Sequence, residues 1–218
     1  MNDVSRETSE PVELEVEPAV AAEVFGDRID LARRLASDLE TYGETLGLIG
    51  PLELPRLWTR HLINCALPAP LFRAGRVGDI GSGAGLPGLV LAIARPDVQF
   101  VLIEPMERRT AWLETEAARL GLDNVEVIRS RAEDAPVVES LDQVTARAVT
   151  ALSKLIPMTA PLLKLGGEML FMKGERVQAE VDAAARVIRK NKLRDVEVLV
   201  LGEGLTTEVT RVFRATVD

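Results

Sequence analysis

Four glycines fall within eight residues in the stretch Asp79-Ile80-Gly81-Ser82-Gly83-Ala84-Gly85-Leu86-Pro87-Gly88. Two spacings overlap there and imply different ligands. Gly81-x-Gly83-x-Gly85, with Ser82 and Leu86, suits a loop that wraps the methionine end and ribose of S-adenosylmethionine. Gly83-x-Gly85-x-x-Gly88 fits a dinucleotide loop, in which glycines let backbone amides approach a pyrophosphate. Asp79 tips the balance, because a carboxylate two residues before the loop repels a pyrophosphate and favours a sulfonium and an ammonium. It can also serve as a structural acid bonded to the turn. Glu104, about 20 residues on, stands where either ligand needs an acid for ribose hydroxyls, so it does not discriminate. Further along, Ser130-Arg131-Ala132-Glu133-Asp134 offers Glu133 or Asp134 to an adenine amino group beside the amides of Arg131 and Ala132. A solvated turn acid is the alternative for Glu133.

These residues need strand ends to hold them, and the apolar pattern supplies them. Strands are expected at 76–80, 98–104, 125–129, 142–147, 167–173, 195–201 and 208–217, with helices at 86–95, 107–120, 151–165 and 175–191 between most of them. Alternation of strand and helix implies a doubly wound α/β fold, Rossmann-like, with parallel pairing and right-handed crossovers. The last two strands are joined only by Gly202-Glu203-Gly204-Leu205-Thr206-Thr207, too short for a crossover, which predicts an antiparallel hairpin at the end of a mostly parallel seven-stranded sheet. Before residue 76, Ile29, Leu31, Leu35 and Leu39 recur at helical spacing within one stretch from Val20 to Tyr42, and a second helix is expected after Pro55. Residues 18–75 therefore read as a helical cap and 76–218 as the ligand-binding domain.

Composition agrees with a globular chain: 218 residues, 47% hydrophobic and 28% charged, with the single cysteine Cys65. No apolar run reaches the roughly 18 to 20 residues of a membrane span, and the first residues lack the basic start and apolar stretch of a secretory signal. A soluble, cytoplasmic, reduced monomer without an internal disulfide is expected. The net charge of −8 is unevenly spread. Residues 1–17 carry six acids (Asp3, Glu7, Glu10, Glu13, Glu15, Glu17) and one base (Arg6), which leaves −3 for the rest. That segment reads as a disordered, solvating tail.

The motifs Arg60-His61-Leu62-Ile63-Asn64-Cys65, Asp79 to Gly88, Leu102 to Arg109, Ser130 to Asp134, Thr145-Ala146-Arg147-Ala148-Val149 and Phe171-Met172-Lys173-Gly174 together resemble the RsmG family, also called glucose-inhibited division protein B. The resemblance runs in order from about residue 25 onward and implies a class I methyltransferase that uses S-adenosyl-L-methionine to methylate guanine N7 in small-subunit ribosomal RNA near the decoding region. It implies cofactor contacts at Gly81, Leu86, Ala132, Glu133 and Arg147, with Glu104 as the ribose acid. Where relatives commonly carry an Asp-Ser pair after Arg-His, this chain has Asn64 and Cys65. A methyltransferase for a small molecule or protein is the alternative that the acidic balance suggests.

Guanine N7 carries an available lone pair, so its methylation needs no proton removed and can rest on in-line placement of the reactants. The sequence fits that economy, with one histidine, no metal-ligand cluster and no nucleophile–base pair. Arg147 closes the fourth strand, where a guanidinium can contact the donor or guanine O6 or N7; a salt bridge to Glu133 or Glu104 is the plainer possibility. His61 lies three residues from Trp58 and four from Cys65, which favours a hydrogen-bonded role between cap and sheet over RNA contact. For phosphate contact, the candidates are Arg60, His61, Lys173, Arg186, Arg189 and Lys190, and Lys154, Lys164 and Arg176 are further candidates for the cleft rim.

Overall fold

The structure is a computed structural model that describes residues 14–218. The apolar repeat between Val20 and Tyr42 forms two helices where one was expected, α1 (Val20–Phe25) and α2 (Ile29–Tyr42), because Gly26 turns left-handed at φ +50°. A left-handed residue cannot continue a right-handed helix. After Pro55 the chain forms a π-helical segment, Leu57–Ile63, that runs into the short α3 (Asn64–Ala66). Of the expected tail, residues 1–13 lie outside the described residues, whereas 14–17 are docked. Leu14 packs on the cap core, and the Glu15 amide donates to the Leu54 carbonyl at 2.9 Å. The Glu15 carboxylate accepts from the Thr59 amide at 2.9 Å and from the Thr59 hydroxyl, so it caps the first turn of the π-helical segment from a distance. Glu17 pairs with Arg33 at 2.7 Å.

From residue 76 the expected alternation is realised. β1 (Arg76–Ile80), α4 (Gly88–Ala94), β2 (Gln99–Ile103), α5 (Glu107–Leu120), β3 (Val125–Ile128), β4 (Leu141–Arg147), α6 (Leu152–Thr159), β5 (Leu163–Lys173), α7 (Val177–Lys190), β6 (Leu193–Leu201) and β7 (Thr210–Val217) follow in order. The sheet runs β3-β2-β1-β4-β5-β7-β6, parallel from β3 through β5, with β7 antiparallel to both its neighbours. Alternate residues face two apolar layers. Phe100 and Leu102 join α4, α5 and the cap; Val101 and Ile103 join α6 and α7. Phe171 and Phe213, partners across β5 and β7, stack at 5.9 Å between ring centroids and support the antiparallel register. The outermost strand β6 carries Arg194, Asp195 and Glu197 and a register shift, features that blunt an exposed edge. No helix among the described residues is long and apolar enough to cross a membrane.

One polar group sits at variance with the packing of α5 on α2. Glu116 is fully buried, and neither of its carboxylate oxygens has a partner among the described residues. Burial, aided by the charge of Asp38, pushes its pKa up to about 7. A carboxyl whose folded value is raised stabilises the fold at low pH and loses that contribution as pH rises through the raised value. Between pH 5 and pH 8 the wild type should therefore lose about 2 kcal/mol more stability than Glu116→Gln. Urea unfolding at the two pH values checks this; equal losses in both proteins would remove Glu116 as the cause.

Candidate active site

Strand order reverses between β1 and β4, and in open α/β sheets the crevice at such a reversal takes the ligand. Ile80 pairs with Ala146, so Gly81 and Arg147 leave the sheet side by side. Gly81, Gly83 and Gly85 have φ of +69°, +56° and +88°. At Gly85 a Cβ would lie 2.4 Å from the Leu89 side chain, and at Gly88 one would lie 2.3 Å from Leu102 and 2.5 Å from the Asp79 carboxylate. The first position needs glycine for its conformation and the second for the close seat of α4 on the strands. Ser82 closes the turn, with its hydroxyl donating to the Asp79 carbonyl at 2.9 Å and its own carbonyl accepting from the Gly85 and Leu86 amides.

Two buried carboxylates underlie this loop. Glu104, at the end of β2, accepts from the Gly83 amide and the Met106 amide, both at 3.0 Å, with the Arg109 guanidinium 4.0 Å away. Two accepted bonds use about half of a carboxylate's acceptor capacity, which leaves room for a pair of hydroxyls. Asp79 accepts from the Gly88 amide at 3.0 Å through one oxygen, while the other is buried with no partner among the described residues. Burial pushes Asp79 up to about 7, with a smaller contribution from Glu104. An ammonium brought near the orphaned oxygen would relieve both conditions, so the structural role of Asp79 is compatible with a ligand role. On the far side, Ala132 is buried and Glu133 exposed in the short turn 132–134 that follows β3. Glu133, Glu104, the glycine loop and Arg147 thus succeed one another across the ends of β3, β2, β1 and β4. That order suits an adenine, a ribose and an amino-acid end laid across the sheet edge.

Arg147 makes neither of the salt bridges considered for it. Its guanidinium donates to His61 Nδ1 at 2.9 Å, to the Arg60 carbonyl at 3.2 Å and to Cys65 Sγ at 3.5 Å, so it bonds the sheet edge to the cap. His61 Nε2 lies 2.7 Å from Glu53 Oε2. Burial, with the positive charge of Arg147 next, lowers His61 to about 4, so the imidazole is neutral at pH 7. Beyond Arg147 opens a cavity of about 670 Å³ whose lining includes Arg60, Asn64, Arg147, Lys173, Glu208 and Arg211. A second hollow of about 340 Å³ adjoins it at Ala148 and Lys173 and extends to Val149 and Thr150, and Val149 lies against the open side of Gly81. The larger space therefore lies beside Arg147 and the start of β7, next to the hollow that reaches toward the glycine loop.

The basic candidates divide sharply. Arg60 lines the cavity, 3.4 Å from Glu53 and 4.0 Å from Glu208. Lys173 also lines the cavity, where Glu180 holds it at 2.7 Å and it donates to the Thr150 carbonyl at 3.0 Å. Arg186, Arg189 and Lys190 lie apart from the cavity: α7 leaves the cleft edge and runs about 20 Å to the opposite edge, carrying its basic end with it. Lys164, at the start of β5, pairs with Asp142 at that same far edge. Lys154 and Arg176 are exposed at the cleft edge. Sequence reasoning missed Arg211 and Glu53. The hairpin was the available signal for Arg211, since an antiparallel last strand must begin at the cleft, where Arg211 stands beside Lys173.

Comparison with known proteins agrees with this geometry. The chain is 64% identical over 204 residues to the ribosomal RNA small subunit methyltransferase G of Leifsonia xyli, covering 94% of this chain and 98% of the relative. It is 65% identical over 208 residues to that of Clavibacter sepedonicus, covering 95% and 99%. Among solved structures, an S-adenosylmethionine-dependent methyltransferase from Aquifex aeolicus matches with a TM-score of 0.53 at 17% identity, covering 88% of this chain and 99% of that one. An S-adenosylmethionine-dependent O-methyltransferase from Thermotoga maritima matches with a TM-score of 0.54 at 17% identity, covering 70% and 64%. These two likenesses identify the class I methyltransferase fold. The model of the GidB family, rRNA small subunit methyltransferase G, matches residues 28–209, which include most of the cap, the glycine loop and Arg147, and the chain belongs to that family.

Proposed function

We propose that this protein transfers a methyl group from S-adenosyl-L-methionine to N7 of a guanine in small-subunit ribosomal RNA near the decoding region, acting as a cytoplasmic monomer on the RNA or the small ribosomal subunit. The observation that carries the reading is the side-by-side exit of the glycine loop and Arg147 at the strand-order reversal, with the large cavity on the far side of Arg147. Family membership supports the RNA substrate. The cofactor supplies an electrophilic methyl group when bound. Glu104 has acceptor capacity to spare for ribose hydroxyls, Gly81, Ser82, Gly83, Gly85 and Leu86 form the loop that wraps the amino-acid end, and Asp79 offers its orphaned oxygen to the ammonium. Ala132 and Glu133 face the adenine. Arg147 is the catalytic residue: a donor that holds guanine O6 leaves the N7 lone pair free to attack. No residue need remove a proton, and neutral His61 is already committed to Arg147 and Glu53.

The test is transfer of labelled methyl to small ribosomal subunits from cells lacking this gene, followed by nucleoside analysis. Label in 7-methylguanosine is the expected result. An absence of label on particles and on naked RNA, with donor binding demonstrated, would overturn the ribosomal substrate.

A further inference from the structure

The chain Glu53–His61–Arg147 joins three elements: the short 3-10 turn Pro51–Arg56, the π-helical segment and the end of β4. Its polarity is fixed by chemistry. A guanidinium donates and never accepts, so His61 Nδ1, 2.9 Å from it, must be the bare acceptor nitrogen. The ring proton then sits on Nε2 and is donated to Glu53 at 2.7 Å. His61 is 8% exposed, so solvent offers no competing partner. The bonds to His61, the Arg60 carbonyl and Cys65 occupy three of the five N–H groups of Arg147. Two are left for whatever enters the cavity.

We infer that Glu53 and His61 are positioning residues for methyl transfer: Glu53 locks the tautomer of His61, and His61 sets the direction in which Arg147 presents its free donors to the acceptor base. This rests on the reading of Arg147 given above. Arg60, the other charged group facing His61, shares Glu53 at 3.4 Å without taking its place as the imidazole's acceptor. Misplacement of a reacting partner by an ångström costs on the order of 100-fold in rate, so loss of the relay acts on turnover and leaves donor binding alone.

The experiment compares His61→Ala, Glu53→Gln and His61→Gln. A glutamine amide carries an acceptor and a donor that reproduce both ring nitrogens, so it can rescue the relay. Expected are kcat losses of about 10- to 100-fold for His61→Ala and Glu53→Gln, with the Kd for S-adenosylhomocysteine and the KM for small subunits within about threefold, and recovery of most of the loss in His61→Gln. In an Arg147→Ala background, His61→Ala should cost nothing further. A His61→Gln protein that folds yet is as slow as His61→Ala, or equal rate losses with and without Arg147, would overturn the relay. A fully active Arg147→Ala would instead overturn the reading of Arg147, and a wild type that labels no RNA would overturn the proposed substrate.

Discussion

Arg147→Ala should lower kcat for methyl transfer to small subunits by about 100-fold, the loss expected when the group that holds the acceptor base in line with the methyl group is removed. Arg147 lines the cavity that the proposed function gives to the acceptor base, so the Kd for S-adenosylhomocysteine should change less than about threefold. Lysine should not restore the rate, because an ammonium cannot bond His61, the Arg60 carbonyl and Cys65 together while presenting further donors. The alanine variant also strands the Arg60 carbonyl and His61 Nδ1, at a stability cost of about 1–3 kcal/mol. Single-turnover methylation below the melting transition, alongside calorimetric donor binding, separates these effects. A variant that binds the donor 100-fold more weakly yet turns over normally at saturation would place Arg147 on the cofactor instead.

Glu104→Gln is the complementary case. The carboxylate accepts from two loop amides and, on the reading above, from ribose hydroxyls as well. Hydrogen bonds to a charged group contribute about 1.5–3 kcal/mol each, and an amide turns a donor toward at least one of the groups that now donate. The Kd for S-adenosylhomocysteine should rise by about 100-fold while the product remains 7-methylguanosine. Isothermal titration decides it: a Kd within threefold of wild type means that Glu104 only braces the loop.

Much of this site was legible in the sequence because it is assembled at strand ends. Once β1 and β4 are read as neighbours across a reversal, the loop after Ile80 and the residue after Ala146 must meet, and the runs that define those strands are short, apolar and bounded by turns. α5 matched its expected limits because Glu107 opens and Gly121, left-handed at φ +67°, closes it. What could not be read was non-local. The repeat from Val20 to Tyr42 is continuous in hydrophobicity, and only the backbone at Gly26 breaks it. Charge alone says nothing about which end of a helix meets the cleft, so the place of Arg186, Arg189 and Lys190 at the far end of α7 could not be read from it. Lys173 looked available until α7 brought Glu180 back over it. Glu53 drew no notice because its meaning depends on His61, held in a π-helical turn whose wider spacing the sequence does not announce.

The interleaving of β7 between β5 and β6 orders the birth of the molecule. β6 leaves the ribosome before β7, yet it has no neighbour in the sheet until β7 arrives. A nascent chain extended as far as Leu201 therefore carries one strand with an open outer edge, β5 on the flank of a finished parallel core, and one with no partner, β6 tethered through α7, both open to pairing with other chains. The cavity wall at Thr210 and Arg211 is laid down in the same late step, so the cavity beside Arg147 comes into being only when translation has passed beyond it.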